Sequence, residues 1–253
     1  GIVLIAFGCM MNITLFYSFK NMIDMLMNVM LPSSVVYSIP YILRIEGEME
    51  NNGFEIAVNS RNLQGAFSWD TDFNISFNKN KLTKLMYTPM YEDALTSDHV
   101  NAKVVRNQPG RPLGSFYGFI SDGVNPETGD LIYRDLDNSG KGGNPGDQTF
   151  IGDPNPDFTF GMTNNLSWKN FNLSIFLQGS YGNDVYNASR METEGMFDAK
   201  NQTTVVLNRW KIPGQITNVP KAGFNMKNST YFVEDGSYLR VKTVTLSYNI
   251  KSK

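Results

Sequence analysis

The residues best suited to chemistry lie in one stretch, Asp135-Leu-Asp137-Asn-Ser139-Gly140, followed by Lys-Gly-Gly-Asn-Pro-Gly146-Asp147. Oxygen-bearing side chains at positions 1, 3 and 5 with glycine at 6 match the start of a calcium loop, because a hard cation needs several oxygens and a sharp turn. The acidic residue expected at position 12 is displaced: Gly146 stands there and Asp147 follows. Asp135, Asp137, Ser139 and Asp147 are thus the candidate metal ligands, with Ca2+ as the candidate cofactor. The alternative is an Asp/Gly turn region that holds no ion. Glu46, Glu48 and Glu50 form a second acidic group. Paired carboxylates can do acid–base work, but nothing in the sequence fixes their spacing in space, and they read as a solvated loop or strand end. The single histidine, His99, sits in Leu-Thr-Ser-Asp-His-Val with no nucleophile-elbow motif in the chain, and reads as a loop residue rather than a catalytic one. One cysteine, Cys9, excludes an internal disulfide and a cysteine-cluster metal site. With no Walker loop, dinucleotide fingerprint or His-Glu-x-x-His motif, no enzyme is expected.

The elements that must position these residues are strands. The 253 residues include 28 Asn and 22 Gly, are 13% aromatic and only 18% charged. Asn and Gly form turns and aromatics favour strands, so many strands and long polar loops are expected. A net charge of -2 leaves no basic excess to neutralise phosphates, which argues against nucleic acid. Phe54, Ile56 and Val58 alternate with polar or small neighbours, and Ser60-Arg-Asn62 then reads as a turn. From Phe67 to Phe77 one face is mostly aromatic and the other wholly polar, in a strict period of two. Such a run exceeds the usual five or six residues of a soluble strand and suits the 9–11 of a tilted transmembrane strand. Leu166 and Trp168 lead into a tight turn at Lys169–Asn170, after which Phe171, Leu173, Ile175 and Leu177 continue the pattern. Val244, Leu246, Tyr248 and Ile250 repeat it. The backing face is Ser, Thr, Asn and Gln, so Asn74 and Asn172, in Asn-x-Ser motifs, read as lumen-facing and not as glycan acceptors. An apolar face backed by a polar, uncharged one is the pattern of an outer-membrane barrel wall, with lipid on one side and a wet lumen on the other. A soluble β-sandwich has the same periodicity with the apolar face turned inward.

Two spans read as long irregular regions, 107–160 and 179–237, and loops of such length are usually functional or disordered. The first 30 residues form a separate apolar segment whose period is unreadable. It lacks the basic start of a signal peptide. Eleven unbroken apolar or small residues are too few for a membrane helix, which takes about 20, while extension to Tyr17 reaches the lower limit; strand and helix both stay open.

Four segments resemble the SusC/RagA family of TonB-dependent outer-membrane transporters, in the family's order. They are Glu48–Ser60 with its Asn-x-Gly-x-Glu strand start, Gly110–Val124 with Gly-x-Pro-x-Gly-x-Phe-Tyr-Gly, Ile151–Asn187, and Tyr231–Ile250 with Glu-Asp-Gly-Ser-Tyr-Leu-Arg. The third is the most specific: Ile151, Gly152, Pro154 and Pro156 lead into a strand, a tight turn, a second strand and a Gly-Asn-Asp element. The resemblance covers about residues 31–250 and implies an all-β fold, an antiparallel portion of a 22-stranded transmembrane barrel with long extracellular loops. It implies import of oligosaccharides or peptides across the outer membrane of a Gram-negative bacterium, with a SusD-like surface lipoprotein and the TonB complex as partners and outer-membrane lipid around the wall. Some members carry an Asp-rich stretch where Asp135, Asp137 and Ser139 stand. On this reading Tyr117, Tyr181 and Tyr186 are candidate substrate-binding residues, since aromatic rings stack on sugar faces. Family chains are several times longer, so the sequence reads as an internal piece, residues 31–253 being partial barrel, and as not transport-competent alone. Two other functions fit less of the chain. A soluble or surface β-sandwich would bind a glycan by itself, and a glycosidase would need a carboxylate pair that the sequence does not offer.

Overall fold

A computed structural model describes residues 2–6, 10–30, 41–85, 90–92, 103–224 and 226–250. His99 and Cys9 lie outside them. Among the described residues fifteen strands occur in chain order: β1 (Ile2–Ala6), β2 (Met10–Met30), β3 (Tyr41–Leu63), β4 (Phe67–Leu85), β5 (Met90–Glu92), β6 (Val105–Asn107), β7 (Phe116–Gly118), β8 (Ser121–Val124), β9 (Leu131–Tyr133), β10 (Thr149–Gly152), β11 (Phe158–Trp168), β12 (Phe171–Tyr181), β13 (Asp184–Tyr186), β14 (Val233–Asp235) and β15 (Tyr238–Tyr248). One short α-helix, α1 (Ser189–Glu194), and three 3-10 turns interrupt the strands among the described residues. The chain folds as two compact units, residues 1–86, 155–183 and 236–253, and residues 87–154 and 184–235.

The first unit is an antiparallel sheet in the order β1-β2-β3-β4-β11-β12-β15. Its register brings the period-two patterns of separate strands onto common faces. Tyr17 opposes Phe54, and Phe54 opposes Phe77. The Phe77 and Phe158 ring centroids lie 5.7 Å apart, and Phe158 stacks on Tyr181 at 5.2 Å. This aromatic row crosses five strands. A second row crosses four: Phe67, Trp168, Phe171 and Tyr248 are successive cross-strand partners. The ends of Phe67 to Phe77, Phe158 to Trp168 and Phe171 to Tyr181 are each ten residues apart, about 33 Å at about 3.3 Å per residue. At the roughly 40° tilt of barrel strands the rows stand about 25 Å apart, the height of the apolar band between aromatic girdles. Between them lie Ile56, Phe73, Met162 and Leu173 on the same face. The charged pair Lys79–Asp157 follows directly beyond the Phe77–Phe158 row, and at the other end Lys169 reaches over the Trp168 ring at 4.7 Å. The apolar side chains are not packed under a second sheet: Trp168 is 51% exposed and Leu246 69%.

The structure redraws several sequence expectations. Of the two readings left open for the first 30 residues, the described residues 2–6 and 10–30 form strands, β2 pairing with β3 along almost its whole length. Ser60–Asn62 is not a turn. Ser60 and Arg61 pair with Thr71 and Asp70, and Asn62 forms a bulge before Leu63, its Nδ2 donating to Thr71 Oγ1 at 2.7 Å and its Oδ1 accepting from Ser60 Oγ. The chain instead reverses at Gly65, whose φ of +147° lies where side-chain-bearing residues are strained. The Glu46–Glu50 stretch lies inside β3, where Glu48 pairs with Lys84 of β4 at 3.0 Å. Both strands outrun their alternating segments because backbone hydrogen bonds extend a ladder without needing an apolar face. The hairpin at Lys169–Asn170 is as expected: Trp168 faces Phe171, and Lys169 takes a φ of 54°.

The second unit turns most of the two irregular spans into a folded body. Leu131, Ala188, Met191, Phe224 and Phe232 make its core, each no more than 9% exposed. The β8–β9 hairpin is closed by Asn125, whose side-chain oxygen accepts from the N–H groups of Glu127 and Thr128. The N–H of Phe119 donates to Asn228 and that of Thr230 to Phe119, tying the two halves of the unit together. Gly118 is required there, since a Cβ would stand 2.2 Å from the Asn228 carbonyl oxygen. Arg190 of α1 grips the buried Glu194 with two N–H groups at 3.1 Å and also donates to the Tyr231 carbonyl.

Candidate functional site

The polar face of the first unit comes from the residues that alternate with the aromatic rows. It is knitted by cross-strand hydrogen bonds, as a wet barrel interior requires. Asn59 Nδ2 donates to Asp72, Ser167 Oγ to Asn172, and Ser174 Oγ to Asn165. Asn172 therefore lies on the polar face, in the hydrogen-bonded ladder. Across β2, β3, β4, β11, β12 and β15 this face holds a depression of about 600 Å³. Phe16 and Phe176 line it with Glu55, Ser76, Gln178 and Lys242. Ser76 Oγ donates to Glu55 at 3.3 Å and Lys242 Nζ to Gln178 Oε1 at 3.3 Å. The register shift between Phe176 and Leu177, opposite Val241–Thr243, is a bulge that places Lys242 there. Gly161 allows close strand approach, since a Cβ would meet Asn74 Oδ1 at 2.8 Å. The combination of aromatic faces, one acid, one base and several neutral donors can hold a polar oligomer by stacking and hydrogen bonds. Sequence reading missed these residues as a site. Phe16 and Phe176 are apolar residues at polar-face positions, and that break in parity was the available signal.

In the second unit the structure brings Asp135, Asp137 and Asp147 together, with one carboxylate oxygen of each within 4.8 Å of the others. Asp147 is fully buried. Its Oδ1 accepts from the N–H groups of Leu136 and Asp137, and its Oδ2 from that of Asn144. Burial opposes ionisation, but these bonds and one from Gly143 outweigh it and hold the carboxyl below the usual aspartate range. Asp135 accepts from the N–H groups of Ser139 and Gly140, and Asp137 from that of Ser139. The Ser139 hydroxyl donates to the Lys141 carbonyl and accepts from Asn144 Nδ2. A side chain at position 146 could not close the loop, because its Cβ would stand 2.4 Å from Asp137 Oδ2; Asp147 takes that place. The donor set is entirely oxygen and anionic, which fits a hard divalent cation such as calcium.

The three tyrosines separate. Tyr181 lies in the aromatic row on the apolar face of the first unit. Tyr186 is built into the second unit's core against Phe116 and Phe232, with its hydroxyl donating to Asn228 Oδ1. Burial pushes its hydroxyl well above the ordinary tyrosine range. Tyr117, on the opposite side of β7 from Phe116, meets Phe150 edge-on at 5.3 Å and carries the Arg106 guanidinium over its ring at 4.1 Å.

No family model matches the chain. It is similar to the TonB-dependent receptor P3 of Formosa agariphila, 34% identical over 222 residues, covering 81% of this chain and 22% of that protein. It is also similar to the TonB-dependent receptor SusC of Bacteroides thetaiotaomicron, 29% identical over 250 residues, covering 92% of this chain and 24% of that one. Its fold matches a chain in the structure of the RagAB peptide transporter with a TM-score of 0.79, at 22% identity, over 94% of this chain and 26% of that one. The chain thus spans about a quarter of the length of these relatives. Both the two-faced antiparallel wall and these likenesses place it in one family: the chain belongs to the TonB-dependent receptors of the SusC/RagA type, of which it carries a portion of the transmembrane barrel.

Proposed function

We propose that the protein acts in the outer membrane as part of a TonB-dependent importer of oligosaccharides or peptides. A SusD-like surface lipoprotein captures substrate with it, and the TonB complex powers entry. One observation carries this reading: a single sheet has an apolar face banded by two aromatic rows ten residues apart along β4, β11 and β12 and a hydrogen-bonded polar face with the Phe16–Phe176 depression. Lipid suits the first face and a substrate path the second. The same reading gives Asp135, Asp137 and Asp147 a structural calcium ion that would order the 135–147 loop. An immunoblot of fractionated source cells with an antibody against residues 107–160 tests the assignment. A signal in the outer-membrane fraction, with uptake of labelled oligosaccharide or peptide lost on deleting the gene or disabling TonB, is expected. A protein confined to the soluble fraction would overturn it.

A further inference from the structure

We infer that Arg111 forms a carboxylate-binding subsite in the second unit, so that this importer selects oligomers bearing a free carboxylate. The inference rests on the import reading and adds a substrate class to it. Tyr117 of β7 and Phe150 of β10 are cross-strand partners whose rings meet at 70°. Each ring carries a guanidinium on its face, Arg106 on Tyr117 at 4.1 Å and Arg111 on Phe150 at 4.4 Å. The cation–π attraction of a guanidinium over a ring uses none of its N–H donors, which stay available for a two-pronged bond to a carboxylate.

Arg111 is exposed, and among the described residues no carboxylate meets its guanidinium. That sets it apart from Arg134, Arg190, Lys200 and Lys221 of the same unit, each ion-paired to an acid. The side chain is also presented from a pinned turn. The Arg111 N–H donates to the Gln108 carbonyl, with Gly110 at a φ of +88° between them. Pro112 biases Arg111 towards extended backbone. Beyond it, the Gly114 N–H donates to buried Asn107 and Ser115 Oγ to the Pro112 carbonyl. A cation held in place by a ring and a fixed turn loses little freedom on binding, which is what a selective subsite needs.

Carboxylates reach such a site from a peptide C-terminus or from a uronic acid, and two probe pairs separate these sources. The receptor purified from source membranes is titrated with a tripeptide and its C-terminal amide, and with a trimeric uronic acid and its methyl ester. The free acid of at least one pair should bind about tenfold more tightly or better than its neutral partner. Arg111→Gln should remove that preference, bringing the free acid down to the affinity of its neutral partner. Arg111→Lys should also lose most of it, because a point charge neither stacks nor forks. Equal affinity within both pairs, no binding of either acid, or a preference that survives Arg111→Gln would each overturn the subsite. A receptor that still imports neutral oligomers in that case leaves the import reading standing, whereas a protein absent from the outer membrane removes both.

Discussion

At the scale of single residues, environment decides what a side chain type can do. The three tyrosines that could all stack on sugars have three different surroundings: a membrane-band row, a buried core and a cation-topped ring pair. Tyr186 and Tyr133, which also packs against the second unit's core beside Phe119, give a pH signature. Burial raises the Tyr133 hydroxyl to about 12 and Tyr186 further. A raised folded value means stability fully present below the ordinary tyrosine value near 10 and lost as pH rises towards 12, since the unfolded chain ionises first. Alkaline titration followed by tyrosine absorbance at 295 nm should show these two ionising only with loss of the second unit's fold. Asp147 works in the opposite sense. Its lowered value gives stability that is present above the ordinary aspartate range and lost as pH falls through its own value. The Arg190–Glu194 pair supplies a sharper substitution. Glu194→Ala leaves the Arg190 guanidinium with Glu234 as its remaining carboxylate partner and should cost about 1.5–3 kcal/mol, read as lost amide-exchange protection in α1 and the Tyr231–Phe232 segment.

At the scale of elements, neighbouring positions on one strand should respond oppositely. Met162 lies on the apolar face of β11 and Thr163 on the polar face, both near the middle of the Phe158–Trp168 span. Met162→Lys should destabilise the membrane-inserted state by about 2–4 kcal/mol, while Thr163→Lys should cost far less. Urea titration in lipid vesicles measures both, and equal costs would mean that the banded face does not meet lipid. The alternation of Leu166 and Trp168 with Phe171 to Leu177 located this hairpin, while the start of the strand at Phe158 fell inside the 107–160 span read as irregular. The sequence placed a turn at Ser60–Asn62 because short polar residues favour turns, yet Asn62 and Thr71 bond side chain to side chain within the ladder.

At the scale of the whole molecule, the 135–147 loop offers a test independent of the membrane. Calcium at about a hundredfold excess over its dissociation constant should stabilise the second unit by about 2.7 kcal/mol, through binding the folded state alone. Magnesium should give less, because it demands a tighter octahedral shell than three clustered carboxylates and their turn provide. Asp137→Ala should abolish the calcium shift in a thermal melt. A melt that calcium leaves unmoved would make the cluster a hydrogen-bonded turn, with Asp147 serving only the backbone N–H groups around it.

The sequence by itself determined the two-faced strands, the Lys169–Asn170 hairpin and the family, because period two and local turn chemistry are properties of consecutive residues. It also marked the Asp135–Asp147 stretch, whose members are close along the chain. Only the tertiary structure decided which strands are neighbours, and so that aromatic residues from β2, β3, β4, β11 and β12 make one row. It alone joined Phe16 to Phe176 in one depression and Arg111 to Phe150 in one stack. Those meetings depend on register and on chain returning over long separations, which no local pattern encodes.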